Sequence, residues 1–278
     1  RPGVFDTILH ATTHDDPRVR HTALNALGEQ WPDRPEAFDT ILHATTHDDL
    51  GIRSTALNAL GEQWPDRPGV LDTILHATTH DDPRVRHTAL NALGRWWSDR
   101  PGVFDTILHA TTHDTPDIRS TALNALGRWW SDRPEAFDTI LHATTHDDPH
   151  VRQTALNALG RWWSDRPGVF DTILHASNND GTPDIRRTAV RVLAHRYTDR
   201  ACRVLIELAA REDDDDLRAD VVKAIASVWP DEADVPQFLK DSAAADTSEV
   251  VRTTARQALA FLELRSRLGI EQEAPASR

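Results

Sequence analysis

Apolar and polar positions along the chain recur with a period of 33 residues. In the first period, Phe5, Ile8, Leu9 and Thr12 fall on one side of a helical wheel. Asp6, His10 and His14 fall on the other, which predicts an amphipathic helix over about residues 2–14. A second pattern follows at once. Val19, Ala23, Ala26 and Leu27 form an apolar stripe, with His21 and Asn25 facing away from it. Asp16-Pro17 predicts the start of this second helix, as an N-cap followed by a proline in the first turn. Asp49, Thr115, Asp148, Thr182 and Ser248 hold the capping slot in other periods, and Asp33 is the expected N-cap of the next first helix.

The period is nearly literal over residues 1–165, with copies starting at Arg1, Arg34, Arg67, Arg100 and Arg133. The copy at 67–99 differs from the copy at 1–33 only at Phe5/Leu71, Glu29/Arg95, Gln30/Trp96 and Pro32/Ser98. A sixth unit at 166–199 drifts, and units at 200–231 and 232–264 keep only the skeleton. A fixed period of this size implies a stacked array, in which one helical pair buries its apolar face only against its neighbours. The expected organisation is a single array over residues 1–264, in units 1–33, 34–66, 67–99, 100–132, 133–165, 166–199, 200–231 and 232–264. A partly disordered tail is expected over 265–278. Gly28, Gly61, Gly94, Gly127 and Gly160 suggest close approach of neighbouring helices. Trp31, Trp64, Trp97, Trp130, Trp163, Tyr197 and Trp229 form an aromatic row expected in the core between units, where an indole N–H can reach a loop carbonyl. The last two units read as a C-terminal cap. The first unit has none, so an upstream segment or self-association is expected there.

Composition narrows the function. The net charge of -13 argues against nucleic acid, whose binders carry a basic stripe. The single cysteine, Cys202, excludes a disulfide framework and fits a reducing cytosol. No apolar run approaches membrane-spanning length. Methionine is absent even at position 1, so a piece of a longer protein, or a chain processed at its start, is expected.

The string Asp16-Pro17-Arg18-Val19-Arg20, then Ala23, then Ala26-Leu27-Gly28, resembles the HEAT-like repeat of the phycobilisome-lyase type, and it recurs imperfectly through all eight units. The resemblance implies an all-α, right-handed α-solenoid (superhelix) of eight two-helix HEAT-like repeats. The fold hosts scaffolds, lyase subunits, DNA glycosylases and a di-iron hydroxylase, so it does not fix a function. The family pattern implies an Asp six residues before the repeat's Arg, knitting adjacent turns. Asp180, Glu212 and Asp246 keep an acid there, whereas the first five units carry His14, His47, His80, His113 and His146. Asp15 or Asp16 is the expected substitute carboxylate, and acid is expected to weaken this ladder because imidazole titrates near pH 6.5.

Several rows carry candidate chemistry. His10 with His14, His43 with His47 and His76 with His80 stand at i, i+4 with an Asp one turn earlier, a spacing able to share a metal. A helix-terminal His complementing the dipole is the favoured reading, and no metal or cofactor is assigned. The di-iron hydroxylase's His-Glu dipeptides are missing: the corresponding place reads His21-Thr22, Ser54-Thr55, His87-Thr88, Ser120-Thr121 and Gln153-Thr154. A uniform array also presents the same residues everywhere, while catalysis needs different residues converging, so no enzyme is expected. The fold places second helices on its concave side. The candidate binding row is therefore His21, Asn25, Asn58, His87, Asn91, Asn124, Gln153, Asn157, Arg187 and Arg191, suited to a peptide or protein surface. Trp96, Trp129 and Trp162, beside Arg95, Arg128 and Arg161, read as core rather than base-stacking platforms. The acidic run 212–216 reads as solvated charge rather than a calcium loop.

The resulting expectation is a non-catalytic recognition or scaffold segment of a larger bacterial cytosolic protein, in signalling or defence. Its near-identical repeats resemble those in sensor regions of NLR-related signalling ATPases, although no phosphate-binding G-x4-G-K-[ST] motif occurs. The alternative is a nucleic-acid-binding HEAT protein of the DNA-glycosylase type.

Overall fold

A computed structural model describes residues 2–268. It holds sixteen α-helices and no strand among the described residues. They alternate as first and second helices of successive repeats, and they divide after Ala143 into two compact units.

The first unit contains α1 (Pro2–Ala11), α2 (Pro17–Gln30), α3 (Pro35–Ala44), α4 (Leu50–Gln63), α5 (Val70–Ala77), α6 (Pro83–Trp97), α7 (Val103–Ala110), α8 (Pro116–Trp129) and α9 (Pro134–Ala143). The second helices stack on one another, α2 on α4, α4 on α6 and α6 on α8. Val85, Ala89, Ala92 and Leu93 of α6 fill the core as the pattern predicts. Leu90 joins them fully buried, as do Leu24, Leu57 and Leu123, a row outside the predicted stripe. The predicted close approach at glycine has a specific cause. The Trp96 ring lies over Gly61 and the Trp129 ring over Gly94, so that a Cβ on Gly94 would sit 2.3 Å from Trp129.

The aromatic row knits successive repeats. Trp64 Nε1 donates to Pro32 O (2.7 Å), Trp97 to Pro65 O (2.8 Å) and Trp130 to Ser98 O (2.9 Å). Where the first helix carries Phe5, Phe38 or Phe104, the junction adds a stack in which an Arg covers the Phe and the Phe meets a Trp edge-on. Examples are Arg34 on Phe5 with Trp31, and Arg67 on Phe38 with Trp64.

Helix starts differ from expectation. Asp33 does not cap α3; its N-cap is Arg34, which makes no side-chain capping bond. Where the sequence reads Arg-Pro-Gly in the third, fourth and sixth repeats, the helix starts two residues later than where it reads Arg-Pro-Glu. Gly69, Gly102 and Gly168 there take φ of +85°, +82° and +84°, a conformation that excludes them from the helix. Second-helix caps form at Asp16, Asp49, Asp82 and Asp148, whose carboxylates accept from the first-turn amides. Thr115 and Thr182 make no such bond.

The second unit contains α10 (Pro149–Trp162), α11 (Val169–Asn179), α12 (Pro183–Arg196), α13 (Ala201–Ala209), α14 (Asp215–Val228), α15 (Val235–Ala245) and α16 (Glu249–Leu268). Here α10, α12, α14 and α16 form the stacked layer. Gly160 faces Val192 instead of an aromatic ring. Trp229 Nε1 donates to Thr198 O (2.6 Å), whereas the buried Tyr197 hydroxyl has no partner. The expected tail does not begin at 265. α16 continues to Leu268, because Arg265 is buried and anchored on Asp231 at 3.0 Å. Residues 269–278 of that tail lie outside the described residues.

Candidate binding surface

Second helices carry the predicted polar row, and the structure sorts it into two kinds of residue. His21 Nδ1 lies 2.5 Å from Thr55 Oγ1 of the next repeat, and His87 Nδ1 lies 2.7 Å from Thr121 Oγ1. Each threonine hydroxyl already donates to a carbonyl in its own helix, Gly51 O and Asp117 O. The hydroxyl must therefore accept, so both histidines carry their proton on Nδ1. His21 Nε2 is then the acceptor for Asn25 Nδ2 at 3.3 Å. Gln153 Nε2 donates in the same way to Thr188 Oγ1 (3.0 Å). Between the second and third repeats, the Ser54 and Thr88 hydroxyls lie 3.1 Å apart instead. His21, His87 and Gln153 are thus inter-repeat ties as well as surface residues. Arg187 is held by Asp220 and Asp184, each at 2.6 Å. Asn91 Nδ2 donates to His87 O. Asn58, Asn124, Asn157 and Arg191 make no side-chain hydrogen bond among the described residues, and Asn58, Asn124 and Arg191 are exposed.

A second row runs along the turns between first and second helices. The repeat's Arg sends Nη1 back to the carbonyl six residues earlier: Arg20 to His14 O (2.7 Å), Arg86 to His80 O (2.6 Å), Arg152 to His146 O (2.8 Å) and Arg218 to Glu212 O (2.7 Å). The side chain of that earlier residue accepts from the amide two residues on. Histidine Nδ1 does this at His14, His47, His80, His113 and His146, and a carboxylate oxygen at Asp180, Glu212 and Asp246.

The two chemistries part at the next contact. In the second unit, Arg152 grips Asp180 through Nε and Nη2 (2.7 and 2.9 Å), Arg186 grips Glu212 (2.9 and 2.8 Å) and Arg218 grips Asp246 (3.2 and 3.1 Å). Burial pushes these three carboxyls up. Hydrogen bonds from the arginine and from a backbone amide outweigh it and hold them below their ordinary range. In the first unit, the Nε atoms of Arg20, Arg86 and Arg119 are buried without a partner. The expected substitute carboxylate appears at one junction: Asp49, the counterpart of Asp16 in the following repeat, lies 3.7 Å from Arg20 Nη2. Elsewhere in the first unit no ion pair joins the repeat's Arg to such an Asp among the described residues.

A protein-family model for HEAT repeats matches residues 5–68, 104–181 and 170–260, more than half of the chain. The chain belongs to the HEAT-repeat family. Among curated proteins, none matches this HEAT-repeat chain in sequence. Solved structures do. A homology model of the full-length AP-3 complex is similar at TM-score 0.59 and 13% identity, over 98% of this chain and 55% of that one. The YibA protein of Escherichia coli matches at 0.56 and 15%, over 92% of both chains. The Kap95:Nup1 complex matches at 0.58 and 14%, over 97% of this chain and 43% of that one. At these identities the likeness concerns the fold, an all-α solenoid. This chain spans about half of the AP-3 chain it matches.

Within the HEAT repeats, other candidate rows resolve as packing. Trp96 and Trp129 are half-buried over glycines of the preceding repeat, with Arg95 and Arg128 against their rings at 4.9 and 5.0 Å. α1 ends at Ala11, α3 at Ala44 and α5 at Ala77. His14, His47 and His80 therefore lie beyond the helices that carry His10, His43 and His76, and the shared i, i+4 face is not formed. No group of three or more potential metal ligands gathers among the described residues. The acidic run 212–216 is only partly solvated: Glu212 is buried on Arg186, Asp214 caps α14 and Asp215 pairs with Arg218. Burial first, then Glu232 and Asp234, push the Cys202 thiol up to about 11, the opposite of what a nucleophilic cysteine needs. No described helix is long and apolar enough to cross a membrane.

Proposed function

We propose that the chain is a non-catalytic recognition array that binds a protein or an extended peptide along the exposed face of its second helices. The observation that carries this reading is the recurrence of unspent hydrogen-bonding side chains, Asn58, Asn124, Asn157 and Arg191, at one position of four second helices, α4, α8, α10 and α12. Asparagine offers donor and acceptor together, which suits a polypeptide backbone. His21, Asn25, His87, Asn91, Gln153 and Arg187 flank this row and shape it, although part of their capacity is used between repeats. The repeats from 1 to 264 act together as one array in this reading. A cytosolic location, as a segment of a larger bacterial signalling or defence protein, rests on the lone cysteine and the near-identical repeats.

The neighbouring folds support the reading by analogy, since one is a complex of Kap95 with Nup1 and another a chain of the AP-3 complex. A photo-crosslinking residue placed at Asn58 or Asn124 is expected to capture a discrete polypeptide, and one at His109 on a first helix is not. Equal capture at both positions would end the reading. A DNA mobility-shift measurement at about 150 mM salt addresses the nucleic-acid alternative. The acidic charge predicts no shift there.

A further inference from the structure

One cavity of about 760 Å³ lies wholly within the first unit, between the third and fourth repeats. Arg86 and His113 both line it, together with His80, His109 and Thr112. Arg86 is 9% exposed, and its Nη1 is spent on the carbonyls of His80 and Asp81. Its Nε is buried and has no partner.

The second unit shows which chemistry completes such an arginine. At the equivalent junctions, the Nε and Nη2 edge of Arg152, Arg186 or Arg218 is closed by a carboxylate from the next repeat. Here that place belongs to His113. Its Nδ1 accepts the Thr115 amide (3.0 Å), so the neutral ring carries its proton on Nε2. The imidazole therefore presents a donor where Asp180 presents two acceptors. The preceding junction shows the consequence. Arg53 Nη1 lies against His80 Nε2 while His80 Nδ1 accepts the Asp82 amide, so two donors meet with no acceptor between them.

We propose that this cavity receives the carboxylate of an Asp or Glu side chain from a partner polypeptide, clamped between the free edge of Arg86 and the Nε2–H of His113. The carboxylate takes the part that Asp180 plays toward Arg152. A planar, bidentate acceptor fits a guanidinium edge better than any neutral group. Asp81, Asp105 and Asp114 also line the cavity, and none pairs with Arg86 among the described residues. Their charge disfavours small free anions, so the carboxylate must arrive on a chain whose other contacts hold it there.

The test follows the Nε–H resonance of Arg86 by NMR in the full chain. The probes are a synthetic Glu-Gly repeat peptide, its Gln-Gly counterpart and sodium acetate. Saturable perturbation by the Glu peptide, and none by the Gln peptide, is expected. His113→Asp supplies the carboxylate from within, as the older repeats do. It is expected to fold with a higher Tm and to weaken the peptide at least about tenfold. Asp180→His should create the same response at Arg152. No saturable response to the Glu peptide, or equal affinity in His113→Asp, overturns the proposal. Acetate that matches the peptide at equal concentration overturns the polypeptide source.

Discussion

Arg86 and Arg152 sit at the same place in their repeats and live in different electrostatic worlds. Both reach back to a turn carbonyl, and in the following repeat the slot side chain, His113 or Asp180, accepts an amide two residues on. Arg152 then completes a bidentate ion pair with Asp180, while Arg86 keeps a buried, unpartnered Nε. The difference teaches that the slot has two separable duties. Imidazole Nδ1 substitutes for a carboxylate as a turn acceptor, but it cannot substitute as a counter-ion.

The sharpest way to test that separation is to remove the slot residue on each side. Asp180→Ala leaves a buried guanidinium uncompensated and is expected to cost about 3–5 kcal/mol. His113→Ala loses only a turn acceptor and should cost about 1 kcal/mol by denaturant unfolding. Similar losses at both sites would erase the distinction. Next in size is Gly94→Ala, where the new Cβ would strike the Trp129 ring, an overpacking cost of about 1–3 kcal/mol. Gly28→Ala meets the flexible Gln63 side chain at 3.3 Å and Ile41 and Ala59 at ordinary van der Waals distance, so its Tm should barely move. Trp97→Phe removes the bond to Pro65 O and should cost about 1 kcal/mol beyond the lost ring area, with the second unit's hydrogen exchange unchanged.

Acid gives the smallest and most selective effect. Asp180, Glu212 and Asp246 are held below their ordinary range in the folded chain. A depressed folded value means that their stabilisation is fully present above the unfolded carboxyl range, about pH 4, and is lost as pH falls through the folded values. The carboxylate-closed turns of the second unit should therefore be insensitive between about pH 7.5 and 5.5, whereas its His146 turn is closed like those of the first unit. In the first unit, protonating a slot histidine removes its only acceptor, so acid should loosen its turns. Hydrogen exchange corrected for intrinsic rates, read repeat by repeat, decides this. A first unit as flat as the carboxylate-closed turns would contradict it.

Much of this architecture is visible in the residue pattern, because every junction reuses the same local rules. The aromatic row, the close approach at glycine and the aspartate caps follow from side-chain size and position alone. What escapes the pattern depends on partners in another repeat. The row of Leu24, Leu57, Leu90 and Leu123 lies at the margin of its own helix's stripe and is nonetheless fully buried. The start of α5, α7 and α11 turns on a backbone choice at Gly69, Gly102 and Gly168. In the candidate row, His21 and His87 look like free ligands on their own wheel, and only the following helix reveals Thr55 and Thr121 as their partners. The shortage of acceptors around Arg86 is likewise invisible until the turn amide has claimed His113 Nδ1.

The ties between second helices alternate, His21 to Thr55, Ser54 to Thr88, then His87 to Thr121. The partner position does not alternate: Thr22, Thr55, Thr88, Thr121 and Thr154 stand in it in all five near-identical repeats. A histidine-bearing helix therefore meets a threonine whichever repeat follows it. Unequal recombination that inserts or deletes a single repeat leaves each histidine facing a hydroxyl. Such an array is free to lengthen by one repeat at a time.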